Sequence, residues 1–294
     1  MYPFLNLGFA HVGTFGLLLW LAAVCGTVML QRSFQRGGVA ADALNVVVFT
    51  VIAGIIGAKF WHELQNTAEM EMAWHQILLP GWHHPTVVIM GFLEWFKAGF
   101  AWFGGLLAGV ATLVAQGISL RLNGLSGGKA ALRMLDLAAP AAAIGYGVGR
   151  IGCLTSGDGD YGINTTLPWG VHMATNALVP PNPPNALVQP TPVYELLYAL
   201  LIGWWLWKRG NKPMPLGFLT GEYLVLSGFG RFLVEFVRIN PRLYFGLSNA
   251  QVAALGSVVV GMLIMLLTRS NGAVIAEPLA DTPTSASSPA AQAH

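Results

Sequence analysis

Gly145-Tyr-Gly-Val-Gly-Arg150-Ile-Gly-Cys153-Leu-Thr-Ser-Gly-Asp158-Gly-Asp160-Tyr-Gly162 is the stretch on which the reading of this chain turns. An apolar segment ends in one arginine, Arg150. A glycine-rich turn follows, with a thiol, Cys153, and two carboxylates, Asp158 and Asp160. A charge at the edge of a hydrocarbon span is costly, so it usually faces a partner or a polar cavity. Glycine lets the backbone turn sharply and come close to a ligand. Closely spaced N–H groups beside a guanidinium can receive an anion such as a phosphate. The plain alternative is a polar loop whose arginine snorkels to the headgroups.

The surroundings are those of a membrane protein. Of 294 residues, 54% are hydrophobic and only 10% are charged, with mean hydropathy +0.59. Soluble domains are about 25% charged. A net charge of +2 is too small to suggest a nucleic-acid partner, and two cysteines, Cys25 and Cys153, build no disulfide framework. Spans need about 20 mostly apolar residues. The pattern predicts an all-α polytopic membrane protein with about seven transmembrane helices, near 9–31, 43–61, 98–120, 132–151, 191–207, 216–237 and 248–268. No basic n-region precedes the first, which is expected to be retained. Two long loops interrupt the series. The first, 63–97, holds Trp74, Trp82 and Trp95 with His75, His83 and His84, and is read as an arm on the membrane surface. The second, 152–190, is read as a head. The membrane domain thus covers 1–269, and 270–294, rich in Ala, Ser, Thr and Pro, is expected to be a disordered tail.

Lysine and arginine set the orientation. Arg32, Arg36, Arg121, Lys129, Arg133, Lys208, Arg209, Lys212 and Arg269 fall in one set of loops; Lys97, Arg238 and Arg242 fall in the other. The first set is therefore cytoplasmic, with the N-terminus, arm and head outside and the C-terminus inside. Lys59, Arg150 and Arg231 remain, all near outer ends of spans. In Arg231-Phe-Leu-Val-Glu235-Phe-Val-Arg238 the spacing puts both arginines and the glutamate on one helix face, with net positive charge left after pairing. Glu235 can steady a guanidinium while Arg231 and Arg238 offer forked donors to a phosphate. Glu195, beside Tyr194 at the start of the fifth span, is already favoured there by the helix dipole. Glu222 faces away from Arg231 and is expected to have a structural partner. The sum is a cationic pocket at the outer leaflet that suits an anionic phospholipid.

Five segments, in order and spacing, resemble the prolipoprotein diacylglyceryl transferase family. They are Phe103-Gly104-Gly105-Leu106, Asp136-Leu-Ala-Ala-Pro140, Gly149-Arg150-Ile-Gly152 with Gly157 and Tyr161-Gly162, Pro190-Thr-Pro-Val-Tyr194-Glu195, and Arg231 to Arg238. The resemblance implies a bacterial cytoplasmic-membrane enzyme with seven spans and an external N-terminus. It implies transfer of a diacylglyceryl group from phosphatidylglycerol to a prolipoprotein cysteine thiol, or to another membrane-surface acceptor in a divergent paralogue, releasing glycerol phosphate. No cofactor or metal is implied. Carried over residue by residue, it marks Arg150, Arg231, Arg238, Lys59, Tyr194, Glu195, Gly104, Gly105 and Cys153 as substrate-binding. The chain departs from the pattern at several of these segments. Phe103 stands where the family has a histidine, Cys153 where it has an asparagine, Gln189 where it has a histidine, Ser227 where it has a tyrosine and Lys59 where it has an arginine.

Thioether formation needs a thiolate and a stabilised leaving phosphate. Arg150 and Arg231 are the expected phosphate donors. Phe103 cannot act as a base, which leaves Asp158, Asp160, Glu235 or an outer-loop histidine. Cys153 is read either as a nucleophile or as a small residue in a tight loop. A non-catalytic phospholipid-binding protein is the alternative reading; a transporter ranks last, because no internal repeat is present.

Overall fold

The computed structural model of the protein describes residues 2–6, 8, 11–78, 84–97, 99–173, 177–269 and 273–274. Trp82 and His83 of the arm, and nearly all of the tail at 270–294, lie outside the described residues. Apolar runs become helices: α1 (Thr14–Arg36), α2 (Ala43–Gln65), α3 (Thr67–Leu78), α4 (Pro85–Lys97), α5 (Trp102–Leu120), α6 (Gly127–Ser156), α7 (Thr191–Arg209), α8 (Phe218–Val234) and α9 (Asn249–Thr268). Five of these, α1, α2, α5, α6 and α9, are long and apolar enough to cross a membrane. The short strands form two-stranded pairs that trim the helix ends.

α6 is the axle. It packs against α1, α5, α7 and α8, while α2 lies on α5 and α9 on α8. Half of its most apolar stretch is buried, against 11–17% in the other four apolar helices, whose large side chains face outward as a lipid-facing surface requires. Small residues let α6 sit close to its neighbours, as in membrane helix pairs generally. A Cβ on Gly152 would meet Leu18 Cβ of α1 at 3.4 Å, and one on Gly147 would meet Ala199 Cβ of α7 at 3.1 Å.

This corrects the expected turn directly after Arg150, where the fourth span was to end near residue 151. The glycines up to Gly152 are packing positions inside the helix, which runs on to Ser156. The chain turns only at Gly157, whose φ of 65° lies in the left-handed region that glycine enters without strain. The first span is also displaced, because Phe4–Asn6 pairs with His11–Gly13 as a hairpin and α1 starts only at Thr14. Thr14 Oγ1 donates to the Tyr2 carbonyl at 2.6 Å, and Tyr2 N donates to Thr155 O at 3.0 Å. The N-terminal segment is thereby tied to the end of α6. The segment expected to form an arm holds two helices, α3 and α4, which pack on each other with Trp74 and Trp95 ring centroids 5.2 Å apart. Within the segment expected to be disordered, Ala273–Val274 pairs with Met214–Pro215.

At the far end, Asp136 of α6 caps α8 from outside. Its Oδ2 accepts from Gly217 N at 2.6 Å, and its Oδ1 accepts from Thr220 N at 2.8 Å and Thr220 Oγ1 at 2.6 Å. A carboxylate at a helix N-terminus satisfies orphan N–H groups and complements the dipole. Glu222 has its structural partners as expected, Arg209 at 3.3 Å and the Trp205 indole at 2.8 Å. Asp136→Ala is expected to destabilise the protein by about 3 kcal/mol, because buried N–H groups lose a charged acceptor. Unfolding in detergent measures this; a midpoint equal to that of the parent would show that the cap contributes nothing.

Candidate functional site

Three helix ends meet around one buried carboxylate. Arg150 lies near the end of α6, Glu195 near the start of α7, just past its first turn, and Arg231 near the end of α8. A 3-10 turn, Glu235–Val237, continues α8 and brings Glu235 and then Arg238 round to the same place. The loop after α6 supplies Asp160. That loop is held down by Gly162 N donating to Gln189 O and Ile163 N donating to Val237 O, both at 2.8 Å, and by Thr191 Oγ1 donating to Asp160 O at 2.5 Å.

The six charged groups form a closed ring of alternating sign. Arg150 Nε lies 2.9 Å from Glu195 Oε2, and the other oxygen of Glu195 meets Arg231 Nη1. Arg231 Nη2 lies 2.9 Å from Glu235 Oε2, and Arg238 Nε lies 3.5 Å from that same oxygen. Arg238 Nη2 meets Asp160, and the other oxygen of Asp160 meets Arg150 Nη1. Glu195 Oε2 and Glu235 Oε2 receive no directed hydrogen bond, so those sides of the ring are held by charge proximity. Glu235 Oε1 is fixed separately by Asn240 Nδ2 at 2.6 Å and Ser248 Oγ at 2.7 Å. The expectation of a net positive pocket is thus corrected. Asp160 and Glu195, supplied by other segments, bring three guanidiniums and three carboxylates into balance.

Donors still remain. Every nitrogen of the Arg238 guanidinium faces Asp160, Glu195 or Glu235, and its side chain is only 5% exposed. Arg238 is therefore a strut of the ring. Arg150 and Arg231, 16% and 23% exposed, keep Nη2 and Nε respectively without a partner among the described residues. Arg150 also lies over the Tyr146 ring, 4.7 Å from its centroid.

Asp158 and Asp160 differ in character because Asp160 pairs with Arg238 and Arg150, whereas Asp158 forms no ion pair among the described residues. Burial would raise Asp160, but Arg238 and then Arg150 overcome it and hold the carboxyl below its ordinary value. Asp158 lies outside the ring and is raised, by burial first and by the charge of Asp160 second. Cys153 is buried, with Sγ 3.6 Å from Arg150 Nη1, and its sulfur lies within 4.8 Å of a carboxylate oxygen of each aspartate. This thiol and two carboxylates are close enough to share a cation, although Asp160 already faces two guanidiniums.

Other expected residues lie apart. Lys59 is buried, 2.8 Å from Glu63 and donating to the Trp95 carbonyl at 2.6 Å, which ties α2 to the arm. Gly104 and Gly105 set the α2–α5 distance: a Cβ on Gly104 would meet Gly57 O at 2.2 Å, and one on Gly105 would meet Gly54 O at 3.2 Å. Phe103 is half-exposed and packs edge-on to Trp102. Tyr194 donates to Gln189 Oε1 at 2.5 Å and accepts from Trp169 Nε1 at 2.7 Å, bracing the head loop. His172 is exposed, 2.8 Å from Asn185 O. Sequence reasoning missed Tyr146, Thr191, Asn240 and Ser248; only Tyr146, four residues before Arg150 on a helix, carried a spacing signal.

Removing one partner of a buried ion pair leaves an uncompensated charge and costs roughly 3–5 kcal/mol. Glu195→Ala, which strands two arginines, is expected to lose stability in that range, whereas Thr191→Ala should lose about 1 kcal/mol. Denaturant titration of both variants in detergent checks this, and equal midpoints would show that Glu195 does not hold the helix ends together.

The comparisons with known proteins bear on the whole membrane domain. The family model for prolipoprotein diacylglyceryl transferase matches residues 3–267. The phosphatidylglycerol–prolipoprotein diacylglyceryl transferase 2 of Clostridium perfringens is 28% identical over 261 residues, 88% of this chain and 92% of its own length. The corresponding transferase of Clostridium tetani is 27% identical over 260 residues, 87% and 92% of the two chains, and that of Cupriavidus metallidurans 28% over 281 residues, 92% and 91%. The match runs through every helix that contributes to the ring, and the chain belongs to the prolipoprotein diacylglyceryl transferase family.

Proposed function

We propose that this protein moves the diacylglyceryl group of phosphatidylglycerol to the thiol of a prolipoprotein cysteine or a similar membrane-surface acceptor. The observation that carries the reading is the pair of unengaged donors, Arg150 Nη2 and Arg231 Nε, on arginines that share Glu195. One lipid phosphate bridges them. Asp158 takes the acceptor proton, because Asp160 and Glu235 are held by arginines and Asp158 is the carboxylate raised towards the range of a useful base. The thiolate sulfur bonds to the glyceryl carbon, the carbon–oxygen bond to phosphate breaks, and the electron pair leaves with glycerol phosphate. Arg150 and Arg231 donate to the charge that develops there. Cys153, buried against Arg150, is a small packing residue in this scheme.

The same proposal sets the protein in a bacterial cytoplasmic membrane with seven spans, α1, α2, α5, α6, α7, α8 and α9. The loops rich in Lys and Arg face the cytoplasm. The N-terminus, the arm (63–97) and the head (152–190) lie outside, with the ring at the outer leaflet and the C-terminus inside. One observation favours a second reading, a phospholipid-binding protein without turnover. Phe103 offers no titratable group where the family pattern has a histidine.

Incubation of the purified protein with phosphatidylglycerol labelled in its diacylglyceryl part and a prolipoprotein separates the two. Label in the acceptor supports transfer, and bound lipid with no transfer supports the second reading. Lysine keeps the charge but loses the planar fork. Arg150→Lys and Arg231→Lys should each slow transfer about tenfold to a hundredfold. The double change should cost less than the product, since both grip one phosphate; clean multiplication would mean separate sites. A base works only when ionised, so the rate should fall as pH drops through the Asp158 pKa, above the ordinary aspartate range. Asp158→Asn should bind lipid normally, turn over slowly and lose that acid limb. An unchanged profile would remove Asp158 from the mechanism.

A further inference from the structure

A cavity of about 120 Å³ opens at the end of the bundle opposite the ring. Arg133 lines it, and at the helical rise Arg133 and Arg150 lie about 25 Å apart along α6. Three cations from three segments surround the space: Arg36 at the end of α1, Arg133 on α6 and Lys212 in the turn after α7. Among the described residues none of the three forms an ion pair within 4 Å. The one carboxylate on the wall is Asp136, whose oxygens are engaged by Gly217 and Thr220.

The cations have partial structural duties. Arg36 Nη1 donates to Trp207 O at 3.3 Å and to Asn211 Oδ1 at 2.8 Å, with the guanidinium 3.0 Å from the centre of the Trp207 ring. Arg133 donates from Nε to Asn123 Oδ1 and from Nη2 to Gly37 O, each at 3.3 Å. Both arginines thus meet a carbonyl near a helix C-terminus, where cations are favoured. That accounts for some of the N–H groups and for about half a charge at each of two helix ends, and the Asp136 carboxylate, close enough to act on Arg133, offsets one of the three positive charges, which leaves the wall net positive. Arg36 Nε and Nη2, Arg133 Nη1 and the Lys212 ammonium have no partner among the described residues. The volume is several times the roughly 30 Å³ of one water, room for a phosphate. Unengaged guanidinium donors around such a space match tetrahedral phosphate oxygens. Basic pockets between membrane helices hold lipid headgroups by this chemistry.

We propose that this cavity binds a phosphate-bearing anion, either the headgroup of an anionic phospholipid or free phosphate, at a site separate from the ring. The test is protection of Lys212 from an amine-reactive reagent, read by peptide mass spectrometry on the full chain in phosphatidylcholine nanodiscs. Exposed Lys208 and Lys129 serve as internal references. Inorganic phosphate is compared with chloride at equal ionic strength, and phosphatidylcholine discs with discs that also contain phosphatidic acid. Saturating ligand should slow Lys212 labelling at least about fivefold, as occupancy follows 1 + [L]/Kd, with Lys208 and Lys129 unchanged. Protection by phosphate identifies a soluble ligand; protection only by phosphatidic acid identifies a lipid headgroup. Arg133→Gln should abolish the protection. If that variant does not survive purification, the parent protein still decides the matter, since equal slowing of all three lysines is screening alone. No protection by either probe, equal slowing of the three lysines, or full protection in Arg133→Gln would overturn the site.

Discussion

Glu195 is the point on which the site depends. It is fully buried, sits at the start of one helix, and faces arginines from two others. A carboxylate without solvent needs compensating charge, and an arginine at a membrane edge needs a counter-ion. Each demand is met by the other, and the ring formed with Asp160, Glu235 and Arg238 leaves no net charge. The consequence is orientation. Two guanidiniums fixed through one side of each fork present their remaining N–H groups in set directions, which favours recognition of one phosphate over diffuse attraction. The second reading, in which lipid is bound but not transformed, uses the same geometry and differs only at the proton acceptor.

The scaffold places these groups by close approach. α6 carries Arg150 at one end and Asp136 near the other, so one helix both fixes the site and caps α8, whose end supplies Arg231. Small residues on α6 bring α1 and α7 near enough for Arg150 to meet Glu195. The 3-10 turn after α8 lets Glu235 and Arg238 fold back onto a loop that follows α6. Packing and electrostatics are therefore one construction: loosening a helix contact would misplace a charge.

Much of this was legible in the residues. A spacing of four put Glu235 beside Arg231, and the edge position of Arg150 marked it as needing a partner; Arg238 joins them through a 3-10 turn and not, as its spacing of seven suggested, along the helix face. The central role of Glu195 was not legible, because the helix dipole already gives a carboxylate at that position a sufficient local reason. Asp158 and Asp160 could not be told apart, since their difference lies in which of them meets Arg238, a residue 78 positions away from Asp160. The segment from Gly152 read as a loop because glycine weakens isolated helices, yet a membrane helix uses it for contact, and α6 runs on to Ser156. Lys59, Gly104 and Gly105 carried family expectations, and their contacts in the structure, an ion pair to Glu63 and the close approach of α2 to α5, are ones that no local pattern announces.

The most direct measurement is an experimentally determined structure of the protein with phosphatidylglycerol bound. This account predicts one phosphate with oxygens about 3 Å from both Arg150 Nη2 and Arg231 Nε, with Glu195 still between the two arginines. A headgroup held elsewhere, or a phosphate that enters only by displacing Glu195 from Arg150 and Arg231, would contradict it.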